Sequence, residues 1–388
     1  MSINFHNLNV SLLKGLILSF SLPILPIFSG LRVDQVILYT LFMFNVFYQA
    51  RNPQLFNLDF KSIKGILLIS FIILLSLFST IINYKVNFKF SLASFENLLN
   101  PLCVFTVFYI NYSYKRIGAY NTNYLIKYSL FFFLLNTCIS VVSIFFDIGD
   151  YMNYYLDTED SESVWHRSYA LSRFIGFFGQ PVEAGFAYSS IYLLYLKFYK
   201  QKNYFKNVII NIIIIIGGII TTSKVFYITL FLVLIFRAFN YNKKIIYLIF
   251  IISIPIIYSL LINVLQYFFA TRYLETSNFL DDFLFIYNNN FFLGLGLMDT
   301  ISDNPLDNAY LQIFLFSGLV GIIVYLVLIF FLVPNDNFNK KYSVYNTIFF
   351  VLIFLGGLGS PVLTLNKANF FIILYSFFHL FNSKRSIP

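Results

Sequence analysis

The sequence predicts an all-α, polytopic integral membrane protein with about twelve transmembrane helices. Three observations carry that expectation. Hydrophobic residues make up 59% of the 388 positions and charged residues only 11%, against roughly 25% charged in a soluble domain. The mean hydropathy is +0.76. Apolar runs recur along the whole chain, near the roughly 20 residues that a helix needs to cross about 30 Å of hydrocarbon. Backbone polar groups in lipid must be satisfied within their own segment, and no alternating barrel pattern is present, so helices are the expected form.

The expected spans, in order, are Leu8–Ser29, Val33–Tyr48, Gly65–Asn83, Phe95–Tyr112, Tyr124–Phe146, Val182–Tyr199, Lys206–Thr222, Val225–Phe239, Ile245–Gln266, Leu306–Val333, Val344–Thr364 and Asn369–Phe381. Leu8–Ser29 is too long for the apolar region of a signal peptide and leads straight into another span, so no cleavable leader is expected. The chain reads as a single membrane domain, residues 1–388. Cys103 and Cys138 both fall in apolar runs, which argues against a disulfide framework or a cysteine metal site.

A net charge of +9 would suggest nucleic acid in a soluble protein, but here the distribution of charge matters more than its sum. With the N-terminus in the cytoplasm, 18 of the 26 basic residues fall at the inner side, together with only two of the 17 acids, Asp59 and Asp336. The outer side is then net negative. That asymmetry favours an even number of spans with both termini cytoplasmic. It also leaves two long outer loops, 147–181 and 267–305. The inner connections are short and basic and hold no phosphate-binding glycine loop or dinucleotide fingerprint, which speaks against nucleotide-driven chemistry there.

The first outer loop is the chain's first long polar interruption. It contains clustered acids, the single Trp165, His166, Arg167 and Arg173. Aromatic faces such as Trp165 and its tyrosine neighbours stack on the apolar faces of sugar rings, although an interfacial aromatic belt has the same composition. The acids match no calcium-loop spacing, so no metal is expected. Arg173 and Arg272 are the outer guanidiniums nearest to expected helix ends; the fork of an arginine fits phosphate oxygens, and a pairing with local acids would equally account for each. Lys224 follows Thr221-Thr-Ser between two short apolar runs, which places a charge below the membrane surface unless its side chain reaches up to the interface. Glu183, after Gln180 and Pro181, suits a helix N-terminus and could also face a cavity and orient a hydroxyl. Asp303-Asn-Pro-Leu-Asp307-Asn308-Ala-Tyr310 reads as a cap, with Pro305 just inside the helix, and its carboxylate, amide and phenol also suit sugar hydroxyls.

Five stretches then occur in a telling order: Arg173-Phe-Ile-Gly-Phe-Phe-Gly-Gln-Pro181, Thr221-Thr-Ser-Lys224, Arg272, Phe291-Phe-Leu-Gly-Leu-Gly296, and Asp307-Asn-Ala-Tyr-Leu-Gln-Ile-Phe-Leu-Phe-Ser-Gly318-Leu-Val-Gly321. In order and spacing they resemble the O-antigen ligase and polymerase superfamily, of the Wzy and WaaL type, over about residues 167–333. Ligases of this group carry a His before the span that here opens at Asp307, and the second loop has none, so the resemblance points to a repeat-unit polymerase. The hairpin residue is Lys224, where Arg is more usual.

The resemblance implies a cofactor-free membrane glycosyltransferase of the bacterial inner membrane, with its site facing outward. It would act on undecaprenyl-pyrophosphate-linked glycan donor and acceptor in the bilayer, alongside a flippase and a chain-length regulator, with no nucleic acid. Arg272, Arg173, Glu183 and Asp307 would carry the catalysis. Lys224, Arg167, Gln180, Asn308, Tyr310, His166 and Trp165 would contact substrate. The product would be O-antigen, capsule or exopolysaccharide. A ligase, a lipid-linked oligosaccharide flippase and a non-catalytic accessory protein are the alternatives; internal repeats typical of transporters are not visible.

Overall fold

The computed structural model describes residues 5–22, 32–52, 60–83, 91–115, 123–146, 148, 152, 168–199, 204–241, 283–297, 308–333, 340–357 and 366–382. Among these residues there are no β-strands. The long helices are α1 (Phe5–Ser19), α2 (Val33–Arg51), α3 (Phe60–Ile82), α4 (Leu92–Lys115), α5 (Asn123–Phe145), α6 (Pro181–Phe198), α7 (Tyr204–Ile220), α8 (Lys224–Tyr241), α9 (Ala309–Leu332), α10 (Lys340–Gly356) and α11 (Asn366–Asn382). Each falls on an expected apolar segment. The expected span Ile245–Gln266 lies outside the described residues. α1 stops at Ser19, earlier than the expected Ser29, and turns through Leu22. Pro23 follows, and the residue before a proline is disfavoured in helical conformation.

Among the described residues, three helical segments are long and apolar enough to cross a membrane: Ile63–Ile82, Tyr124–Phe145 and Ala309–Leu332. The outward faces agree with that. On α3, Leu67, Phe71, Leu74, Phe78 and Ile81 are exposed at alternating steps of four and three, while Ile69, Ile72, Ile73, Ser76 and Ser79 are buried. α7 exposes Ile209, Ile212, Ile216 and Ile219 in the same rhythm. Stripes of this length are unstable against water and compatible with lipid. Phe71→Asp should therefore cost about 3 kcal/mol of insertion free energy, and Phe71→Leu almost nothing, as read from the fraction of chains inserted in a membrane-insertion assay. Equal insertion of the two variants would contradict a lipid-facing α3.

α6 and α11 form the centre. α6 packs against α5, α7, α8, α10 and α11, and α11 also packs against α4. Nearly every residue of α6 from Pro181 to Lys197 is buried, as expected for a helix surrounded on all sides. Ala184, Gly185, Ala187, Ser189 and Ser190 keep its surface narrow enough for five neighbours. α3 lies to one side against α4 and α9, and α1 and α2 pack on each other and on α5 and α4.

α9 is broken at Gly318, whose φ of 62° and ψ of −160° are non-helical. The backbone groups freed by the break are taken up by residues 291–296. Leu319 and Val320 N–H donate to the carbonyls of Phe291 and Phe292 at 3.0 and 3.4 Å, and the Leu315 carbonyl accepts from Leu295 N–H at 2.7 Å and Gly296 N–H at 3.2 Å. α3 holds the other edge of this loop. Ser79 Oγ donates to the Leu293 carbonyl, Asn83 Nδ2 donates to that of Gly294 at 3.0 Å, and Leu297 N–H donates to Thr80 Oγ1 at 2.9 Å. Residues 294–297, expected within an outer loop, are thus buried between two helices. Irregular backbone beside a membrane-length helix is tolerated where protein groups satisfy it, as they do here.

Candidate functional site

Between Ser168 and α6 the chain makes a tight, largely buried hairpin. Arg173 N–H closes it onto the Ser168 carbonyl at 2.8 Å, and Gly176 turns it with φ 61°. Ile175, Gly176, Phe177 and Phe178 are buried. Such a segment persists only if its polar groups find partners, and three side chains, from α5, from α6 just after the hairpin and from α11, supply them.

The first is Asn136, in the middle of α5. Its Oδ1 accepts from Phe177 N–H at 2.7 Å, and its Nδ2 donates to Tyr188 Oη at 3.1 Å and to the Ile175 carbonyl at 3.4 Å. The second is Glu183, in the first turn of α6 and 5% exposed. Its Oε2 accepts from Gly179 N–H at 3.1 Å, and its Oε1 accepts from Lys367 N–H at 2.8 Å. One carboxylate thereby satisfies an N–H at the start of α11 while sitting at the positive end of α6. The third is Lys367, 4% exposed, whose Nζ donates to the Phe20 carbonyl, just past α1, at 2.8 Å and to the Phe177 carbonyl.

Lys367 also shares an electrostatic neighbourhood with Arg32, Asp34 and Glu183. Arg32 and Asp34 form a two-point ion pair, with Nε to Oδ1 at 2.9 Å. From there polar contacts run along the start of α2 to α4. Gln35 Nε2 donates to Glu96 Oε1 at 2.6 Å, and Tyr39 Oη lies 3.1 Å from Glu96 Oε1 and 2.7 Å from Asn100 Oδ1. Asp34, Gln35 and Asn100 border a small cleft whose remaining walls are Leu16, Phe20, Leu38, Val104 and Phe370. Asp34 and Glu183 oppose the charge of Lys367 and Arg32 adds to it. These four residues form a brace in which the buried charges are partly compensated, as buried charges require.

The structure brings several of the sequence-predicted residues together. Phe174 N–H donates to the Ile220 carbonyl at 3.2 Å, which seats the Arg173 hairpin beside the Thr221–Ser223 turn and the start of α8. Arg173 is half-buried, and Lys224 is exposed as the first residue of α8. Gln180 precedes α6 as its N-cap, without a side-chain cap bond, and is exposed. At the start of α9 the capping residue is Asn308, whose Oδ1 accepts from Tyr310 and Leu311 N–H at 2.9 and 3.1 Å. The helix therefore begins after Asn308, later than the sequence suggested with Pro305 just inside and Asp307 in the first turn. An Asx side chain three residues before Leu311 stabilises that later start. Tyr310 Oη donates to the Phe354 carbonyl at 2.8 Å, at the end of α10. Trp165, His166, Arg167, Arg272 and Asp307 lie outside the described residues.

Sequence reasoning passed over Asn136, Lys367, Asp34, Gln35, Tyr39 and Glu96. The signal for the first two was present: a single amide in Phe131-Phe-Phe-Leu-Leu-Asn136, and a lysine between two apolar runs, are expensive in a membrane segment unless they serve a purpose.

The fold and these contacts define a helical protein with membrane-length helices and a braced polar cluster at one end of the bundle. No known protein family, curated protein or solved structure matches the chain.

Proposed function

We propose that this protein is a bacterial inner-membrane glycosyltransferase that polymerises undecaprenyl-pyrophosphate-linked oligosaccharide repeat units at the extracytoplasmic face, with about twelve spans and both termini in the cytoplasm. The observation that carries the reading is the placement of the Arg173 hairpin beside the Lys224 turn. It sets two cations, the half-buried Arg173 and the exposed Lys224, at the end of the bundle that the charge asymmetry assigns to the outside.

In the proposed reaction the anomeric C–O bond of the donor glycan breaks and the acceptor hydroxyl oxygen bonds to that carbon. Undecaprenyl pyrophosphate leaves with the bonding electron pair, and the hydroxyl proton passes to a base or to water. Negative charge grows on the pyrophosphate, so Arg173, Lys224 and Arg272 stabilise it as it develops. Asp307 orients or deprotonates the acceptor hydroxyl. Glu183 is less suited to that task because both of its carboxylate oxygens already accept backbone N–H groups. Asn308 and Tyr310 stand at the α9 entrance beside Asp307, and Trp165, His166, Arg167 and Gln180 contact the glycan. O-antigen, capsule and exopolysaccharide repeat units all fit this scheme.

A strain lacking the protein should accumulate lipid-linked single repeat units on the outer face and make no long chains. Accumulation on the inner face would assign translocation instead, and an unchanged chain-length distribution would refute polymerisation.

A further inference from the structure

We propose that Lys367 and Glu183 are the positioning residues of this site, two buried charges that lock the 173–180 hairpin in place and so set where Arg173 meets the donor pyrophosphate. The second half of this proposal rests on the polymerase reading; the lock itself does not.

The lock is built on the C-terminal limb of the hairpin. Lys367 Nζ binds the Phe177 carbonyl near the middle and anchors it to the Phe20 carbonyl at the end of α1. Glu183 takes the Gly179 N–H on one oxygen and the Lys367 main-chain N–H on the other, so the two residues are themselves joined. Each is at most 5% exposed. A lysine at a helix N-terminus opposes the helix dipole, and burying it adds a desolvation cost. Against these costs, and against the charge of Arg32, its ammonium is held by two carbonyls, with Asp34 and Glu183 within electrostatic reach. Simple packing of α11 on α6 would be served as well by an apolar residue. A lysine is required only if something must grip carbonyl oxygens, and the carbonyls gripped belong to the hairpin and to α1.

Asn136 holds the same hairpin through Phe177 N–H and the Ile175 carbonyl. Asn136 thus fixes the turn around Gly176, and Lys367 with Glu183 fixes its C-terminal limb. Arg173 stands on the other limb, held by its own N–H to the Ser168 carbonyl and by Phe174 N–H to the Ile220 carbonyl, and is preorganised through the turn that joins it to the locked limb; a displacement of about 1 Å can cost a hundredfold in rate.

Full-length protein reconstituted in nanodiscs tests both halves, using Lys367→Met, which keeps the volume, and Glu183→Gln, which is isosteric and guards against misfolding of the first. Amide hydrogen exchange over residues 174–180 should rise at least roughly tenfold in both variants while the cores of α5 and α6 stay protected. With a synthetic lipid-linked repeat unit as substrate, kcat should fall at least roughly tenfold in both variants while the shape of the pH–rate profile stays the same, because Arg173 then meets the developing pyrophosphate charge out of place. Unchanged exchange in both variants overturns the lock. Faster exchange with unchanged kinetics overturns the positioning role. A kcat fall confined to Glu183→Gln, with the acid limb of the pH–rate profile lost and Lys367→Met unaffected, makes Glu183 a general base and also overturns it. A wild-type protein without polymerase activity contradicts the proposed function instead; the exchange data then decide the lock alone.

Discussion

Gly318→Ala is expected to destabilise the protein by about 4 kcal/mol, enough to abolish a recoverable folded state in detergent. Two effects combine. The backbone at Gly318 has φ 62° and ψ −160°, a region open essentially to glycine alone. A methyl group there would also lie 2.3 Å from the Phe292 carbonyl oxygen, 2.4 Å from its carbon and 2.5 Å from Gly294 N. These are main-chain atoms, so no rotamer change relieves the overlap, and either the 291–296 loop or the lower half of α9 must move. Movement breaks the bonds from Leu319, Leu295 and Gly296 that replace the missing helical ones. Gly15→Ala is the control. Nothing lies within 4 Å of the position its methyl would take, and alanine in a helix interior is favoured by roughly 0.5–1 kcal/mol. Thermal unfolding of both purified variants checks this, and a Gly318→Ala protein as stable as wild type would show that the break in α9 is not fixed by this contact.

Arg272→Ala is expected to lower polymerisation at least roughly a hundredfold with protein levels unchanged, the usual scale for removing one donor that stabilises a developing oxyanion. In the proposed reaction the leaving group is a pyrophosphate, two of whose oxygens a guanidinium can bind at once, which an ammonium cannot. Arg272→Lys should therefore recover little activity. Substrate-saturated kcat should carry most of the loss, because the charge being stabilised exists chiefly in the transition state. A normal ladder of chain lengths from Arg272→Ala would remove Arg272 from the site.

Much of the helical framework was legible in the sequence because apolar length alone specifies it. The period-2 alternatives were absent, and Val33, Tyr124 and Val182 fell within a residue or so of the helix starts at Val33, Asn123 and Pro181. Helix ends set by local chemistry were less legible. Asn308 caps α9, where Pro305 and Asp307 were expected already inside the helix, since several Asx residues in a row compete for one role. The break at Gly318 was not legible at all. Gly294, Gly296 and Gly318 were visible as a pattern, but pattern does not reveal that one glycine pair brings two backbones into contact 24 residues apart. The brace escaped for a related reason. Glu183 was visible as a helix-start carboxylate, yet its partner Lys367 lies 184 residues away, and the lysine's own ligands are carbonyl oxygens, which every residue carries. A loop that receives its hydrogen bonds from α5, α6 and α11 is specified by tertiary packing, and no local stretch of sequence records it.

The proposed polymerisation is checked by purifying the full-length protein, placing it in proteoliposomes with a synthetic undecaprenyl-pyrophosphate-linked repeat unit, and resolving the products by size. Wild-type protein should yield a ladder of lipid-linked oligomers together with free undecaprenyl pyrophosphate, one released for each bond formed, and Arg272→Ala should leave the single repeat unit intact. A repeat unit that stays monomeric with the folded wild-type protein, or a ladder that Arg272→Ala produces equally well, would contradict the account.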